Sequence, residues 1–427
     1  MYRVWSSVSF FAFVLLAGAV SALLIANLAP ETYLKLTLYP LLFNGVIGPH
    51  VADWTAALGP AALSYDPGDA VRVLTLRSFV NEALMALFFA FVGKEVWEAL
   101  TLKGGELRGP RALVPIIGTF GGVAVPALLY LALTWALGTG AELAGGWAIP
   151  TATELAFAYI IGLWIFGPKH PALRFLLLVA MADDAFGFII LAIITPGAVA
   201  PLWLLLSLGA ALLAYGLFNW LPRRLDRGDV LRRWQIWTRQ RLSMLPYILA
   251  GAASWYGFLR AGLNPALGLL PILPCLPHAD RPYGIFAEAE AHLHDPLNVA
   301  QHALRWPVVG ILLLFGLVNC GFTASSFGAP TLPVAAALVL GKPLGIALFC
   351  WMALRLLGLS LPPGLRLADL PALGAAAGVS MTVSMTLANA AFADPALAEA
   401  ARLGVLLSLV SGSVAFFLSK ATGVSRR

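Results

Sequence analysis

Charge is what this sequence has least of. Asp, Glu, Lys and Arg make up 11% of its 427 residues, under half the roughly 25% usual in a soluble domain. Hydrophobic residues reach 60% and mean hydropathy is +0.85, so the chain reads as an all-α polytopic membrane protein. No polar stretch is long enough to fold as a domain of its own. Cysteine is also scarce. Cys275, Cys320 and Cys350 each lie in an apolar run without a C-x-x-C partner, which argues against a disulfide framework or a zinc site and leaves packed thiols. The formal charge of +6 is sorted by loop rather than gathered in one patch, so no nucleic-acid partner is expected.

What is present is repetition. Apolar stretches of about 20 residues, the length that crosses a bilayer as a helix, recur near 7–29, 79–97, 112–137, 146–166, 172–195, 200–220, 244–260, 262–277, 307–327, 332–356, 370–392 and 399–419. They predict about twelve transmembrane helices in one membrane domain, 1–427. The first runs past the 7–15 residues of a cleaved signal core and reads as a retained span. With the N-terminus cytoplasmic, the inward loops carry Lys94, Lys103, Arg108, Arg111, Lys169, Arg174, the seven arginines from Arg223 to Arg241, Arg281, Arg305, Arg355, Arg366, Lys420, Arg426 and Arg427. The outward loops carry only Lys35, Arg72, Arg77, Arg260 and Arg402. A bias of roughly four to one puts both termini in the cytoplasm. The outward loop 30–78 is expected to hold a hairpin or a short amphipathic piece. The inward loop 222–243, with Arg232-Arg233-Trp234-Gln235-Ile236-Trp237, reads equally as a helix on anionic membrane lipid or as an ordinary loop.

Against this background three acids stand at membrane depth. Glu154 lies within Trp147-Ala148-Ile149-Pro150-Thr151-Ala152-Thr153-Glu154-Leu155, and Asp183-Asp184 lies between Leu176 and Ile190. A charged, unpaired carboxylate there costs about 2.5 kcal/mol or more. Lys342, in Gly341-Lys342-Pro343-Leu344-Gly345, is the other ionisable group read as central, and a carboxylate beside it makes its burial tolerable. Successive helix residues project about 100° apart, so Asp183 and Asp184 do not face one partner. One pairs with Lys342 and the other faces a water-filled cavity, an arrangement suited to exchanging a small cation for protons. An acid beside a lysine and an acid without one titrate at different pH.

Two spans are expected to break. Pro150 follows Gly145-Gly146, and the late span runs Gly374-Ala375-Ala376-Ala377-Gly378-Val379-Ser380-Met381-Thr382-Val383-Ser384. Interrupted helices in corresponding places of two halves point to a transport site. Residues 112–195 and 332–419 each hold three spans, the interrupted one in the middle, running in opposite senses. They form the expected ion-translocating core, with 1–110 and 200–327 as a scaffold or interface panel. Half-helix ends carry partial charges, which Glu154 and Lys342 can offset, while Thr151 and Thr153 can bond backbone groups freed by Pro150.

These motifs resemble the NhaA-type sodium/proton antiporter family. The likeness rests on Asn81-Glu82-Ala83-Leu84-Met85-Ala86-Leu87-Phe88-Phe89, Gly146 to Ala158, Ala182-Asp183-Asp184 and Gly341-Lys342-Pro343-Leu344-Gly345-Ile346, and spans about residues 80 to 415. The family is itself an established example of inverted repeats. The resemblance implies Asp183 and Asp184 as carriers of sodium and protons, Lys342 as the partner of Asp183, and Thr153 and Glu154 at the crossing of the broken helices. It also implies exchange of two protons for one sodium or lithium, the bacterial inner membrane, a homodimer, and no cofactor beyond the transported ions. Departures accompany it. Glu154 and Glu82 stand where the family usually has Asp, and the family's inward-side His and Glu tied to pH response correspond to Asn264 and Gln301. Glu95, Glu98 and Glu82 are the remaining candidates for a pH response.

Two other classes compete. A sodium-coupled carrier of a small organic solute shares broken helices but needs a larger polar cavity. An intramembrane enzyme wants acids converging from separate helices, whereas adjacent acids splay apart, so no enzyme is expected.

Overall fold

The computed structural model describes residues 2–101, 112–194, 199–227, 244–276 and 296–423, with a few isolated positions between them. Among these, seven helices are long and apolar enough to cross a membrane, or up to nine if each of two bent pairs is one span. In chain order the helices are α1 (Tyr2–Leu28), α2 (Leu76–Thr101), α3 (Leu113–Ala136), α4 (Gly140–Thr151), α5 (Leu155–Phe166) and α6 (Pro171–Ile193). There follow α7 (Pro201–Trp220), α8 (Leu245–Ala261), α9 (Pro296–Asn319), α10 (Thr331–Leu356), α11 (Leu367–Ala377), α12 (Thr382–Ala391) and α13 (Pro395–Ala421). The bent pairs are α4 with α5, at 57°, and α11 with α12, at 60°.

One expected span is described only in part. Within 262–277 the described residues hold two short 3-10 turns, Pro265–Leu267 and Leu270–Cys275, and the chain beyond Leu276 lies outside the described residues. Pro265, Pro271 and Pro274 remove backbone donors, and Gly262 ends α8 in the left-handed region at φ 79°. Two basic residues also move from loops to helix interiors. Lys94 lies inside α2 and Arg402 inside α13, both buried.

The loop 30–78 does contain a hairpin. Strand β1 (Pro40–Asn44) pairs antiparallel with β2 (Arg72–Thr75), Phe43 opposite Val73, with a register shift between Pro40 and Leu42. Leu38, Trp54, Leu58, Ala62 and Val73 form a small core beneath it, and Trp54 Nε1 donates to the Leu38 carbonyl at 2.8 Å. Loop 222–243 lies largely outside the described residues. Of its described positions, Trp234 and Trp237 are exposed and stacked edge to face, 6.5 Å apart.

The chain folds as two compact units. One comprises Met1–Phe13, Glu98–Pro196 and Phe322–Arg427, and the other Val14–Trp97 and Gly197–Gly321. In the first, α3 and α10 approach closely through small residues, as helices do where no hydrophobic effect drives them together. A Cβ on Gly121 would lie 2.3 Å from the Gly345 carbonyl oxygen, and one on Gly341 2.7 Å from Pro126 Cα. Aliphatic and aromatic side chains, among them Ile161, Phe166, Phe175, Leu176, Ile346 and Leu373, close the core around α6. Of the apolar 18-residue stretch of α6, 61% is buried, against 17% for that of α7. In the second unit α7 exposes Leu205, Leu208, Leu212 and Leu213, the apolar face expected of a lipid-contacting helix, and holds α8 through Ser207–Ser254 at 2.6 Å.

Gly121→Ala is expected to lower the thermal midpoint of detergent-solubilised protein by the equivalent of about 1–3 kcal/mol of overpacking. Gly209→Ala, whose Cβ meets nothing within 4 Å, should be neutral or slightly stabilising. Equal midpoints for the two variants would contradict the close approach of α3 and α10.

Candidate functional site

Both helix breaks have local causes. Pro150 sits at φ −83°, ψ 15° in the 3-10 end of α4, and Ala152 and Glu154 are extended beyond it. Thr151 donates its hydroxyl to the Ala148 carbonyl at 2.7 Å, a local substitute for helix bonding. The second break has no proline. Gly378 to Met381 leaves the helical path, with Met381 at φ −138°, ψ −68°. Small residues let the two breaks cross. The Glu154 amide donates to the Val379 carbonyl at 2.9 Å, and the Ser384 hydroxyl to the Ile149 carbonyl at 2.6 Å.

Side chains at the crossing meet the exposed helix ends. Glu154 Oε2 accepts the Thr382 amide at 3.0 Å and the Thr382 hydroxyl at 2.7 Å. Its carboxylate therefore caps the first residue of α12, at the positive end of that half-helix. The Thr153 hydroxyl lies 2.9 Å from the Ala377 carbonyl, at the negative end of α11.

Asp183 and Asp184 sit midway along α6, both buried. Lys342 follows a π-helical turn, Ala337–Gly341, a local widening often found at functional sites, and is fully buried. Its ammonium lies 2.5 Å from Asp183 Oδ2 and 2.5 Å from Thr153 Oγ1. Thr153 Oγ1 also contacts Asp183 Oδ2 directly. Among the described residues Lys342 pairs with Asp183 and not with Asp184. Asp183 Oδ1 is buried with no protein partner there. Nearby, the Thr119 hydroxyl reaches the Val179 carbonyl at 3.2 Å and ties α6 to α3.

The structure thus brings Thr153, Glu154, Asp183 and Lys342 to the break region, with Asp184 beside Asp183. Glu82, Glu95 and Glu98 all lie on α2. Glu82 is in a π-helical stretch, Phe79–Leu84, with Oε2 buried and unpartnered among the described residues. Next to it, Asn81 and Asn319 exchange side-chain amide bonds of 3.2 and 2.8 Å. Glu95 pairs with Lys94 at 3.4 Å, and both are buried, as is Glu98. Asn264 caps the 3-10 turn at Pro265–Leu267, accepting from the Ala266 amide at 3.0 Å, and the side chain of Gln301 lies outside the described residues. Thr382 was not singled out by sequence reasoning. Its signal was only the hydroxyl-rich run from Ser380 to Ser384, because the half-helix end it starts is visible only in three dimensions.

Chemically, the arrangement offers two adjacent buried carboxylates, one tied to a base and one not. The sequence profile of the family described as Na+/H+ antiporter 1 matches residues 3–418. A Na(+)/H(+) antiporter NhaA of Jannaschia sp. (strain CCS1) is 50% identical over 430 residues, covering all of both chains. Another of that name, from Desulfitobacterium hafniense (strain Y51), is 36% identical over 97% of this chain and 95% of its own. A solved sodium proton antiporter from Methanocaldococcus jannaschii is 14% identical, with a TM-score of 0.47, covering 97% of this chain and 98% of that one.

Removing one partner of a buried ion pair strands the other charge and costs about 3–5 kcal/mol, whereas an apolar pair of similar volume is often tolerated. Lys342→Met should therefore lower the thermal midpoint markedly, and Asp183→Leu combined with Lys342→Met should recover most of the loss. A single variant as stable as the parent would argue against the pair.

Proposed function

The chain belongs to the Na+/H+ antiporter 1 family and is a multi-pass membrane transporter exchanging sodium for protons; on that premise we propose how it does so. Asp183 and Asp184 carry the cargo, taking up either protons or one sodium or lithium ion. The observation that carries this reading is the asymmetry of the pair, with Lys342 on Asp183 alone. A cation bound at the two carboxylates competes with Lys342 for Asp183 and with protons for both acids. Because loading one cargo requires release of the other, exchange is coupled without a further device. Two protons returned for one monovalent cation move net charge, so the exchange is electrogenic.

Alternating exposure of this site to the two sides of the membrane completes the cycle. We assign the ion-translocating core to 112–195 and 332–419 and a scaffold role to 1–110 and 200–327. Glu154 stabilises the crossing through the end of α12, Thr153 acts beside Asp183, and Glu95, Glu98 and Glu82 adjust activity to pH. The bias of Lys and Arg supports both termini being cytoplasmic, and the bacterial relatives support an inner-membrane location. Lipid contacts are supported by the exposed leucines of α7, and a homodimer by family likeness alone.

Proteoliposomes containing a pH-sensitive dye test the exchange directly. Sodium and lithium pulses should drive proton flux that grows with membrane potential, and Asp184→Asn should fall to the level of empty liposomes. Full activity in that variant would remove Asp184 from the site, and silence of the parent at every pH would end the antiport reading. Glu95→Gln and Glu98→Gln should shift the pH of half-maximal exchange while leaving the maximal rate near that of the parent. Unshifted profiles would remove these residues from the pH response.

A further inference from the structure

Thr153 is surrounded by more acceptors than it can serve. A hydroxyl carries one proton and two lone pairs. Lys342 donates to Thr153 Oγ1 at 2.5 Å, which leaves one proton for two acceptors, Asp183 Oδ2 and the Ala377 carbonyl. The first belongs to the ion pair on α6 and α10, and the second is the last carbonyl of α11, at the second break. Both acceptors are buried.

We infer that Thr153 is a positioning residue that links the Lys342–Asp183 ion pair to the end of α11. While the pair is closed, the charged carboxylate is the stronger acceptor and holds the hydroxyl proton. The Ala377 carbonyl then lacks that bond, and the end of α11 is looser. When the pair opens, the hydroxyl turns to Ala377 and tightens the break between α11 and α12. Opening and closing at one crossing helix thereby bias the conformation of the other. This role rests on the proposed cation competition between Lys342 and bound sodium, and it gives that competition a mechanical consequence.

Backbone hydrogen exchange over residues 375–385 tests it without measuring transport. Asp183→Leu with Lys342→Met removes the pair and leaves Ala377 as the remaining acceptor, so exchange there should slow roughly fivefold, the factor worth one neutral hydrogen bond. Adding Thr153→Val should abolish the slowing, and Thr153→Ser should preserve it. Exchange that slows equally with valine at 153 would overturn the inference. In the otherwise unaltered protein, saturating sodium should slow exchange over the same residues, and Thr153→Val should remove that response. A sodium response unchanged by valine would again overturn the role of Thr153, whereas a parent without sodium-driven proton flux would instead count against the proposed function.

Discussion

The buried contact between Lys342 and Asp183 constrains everything around it. An ammonium and a carboxylate taken out of water are tolerable only together and only with further hydrogen bonds. That requirement is met by the enclosure of α6 and by the hydroxyl of Thr153 set against both charges. The contact also explains the asymmetry between two chemically identical neighbours. With Asp183 engaged, Asp184 stands beside it without the lysine.

The crossing of the two bent helices follows from the same difficulty with charge. Interrupting a helix at membrane depth exposes amides on one side and carbonyls on the other. Here the exposed groups meet side chains that also border the site. Glu154 takes the amide end of α12, and Thr153 approaches the carbonyl end of α11. Backbone-to-backbone contact at Glu154 and Val379 fixes how the breaks cross. Small residues in both segments make that approach sterically possible, which is why neither break needs a bulky filler.

The second unit has a different character. Its helices are held by pairs of small or amide side chains, such as Ser207 with Ser254 and Asn81 with Asn319. Much of α7 faces outward with leucine. In this unit α2 carries Glu82, in a π-helical turn where regular bonding is already relaxed, and Glu95, paired with Lys94.

The sequence by itself determined the class of the molecule and its family. Hydrophobic length dictates membrane helices, and a charge in a hydrocarbon setting is too costly to be incidental. Glu154, Asp183, Asp184 and Lys342 therefore stood out against their apolar runs, and Pro150 marked one break. Residue chemistry alone left open which aspartate meets the lysine. Tertiary structure decided that, because only the crossing of α6, α10 and the breaks sets the directions in which side chains meet. It also decided the partners of Thr382, the burial of Lys94 and Arg402, and the 3-10 path of Pro265–Leu267 and Leu270–Cys275. A hydropathy pattern counts apolar residues but does not register the donors that Pro265, Pro271 and Pro274 remove, and a loop assignment cannot show that a lysine has an ion pair to hold it inside.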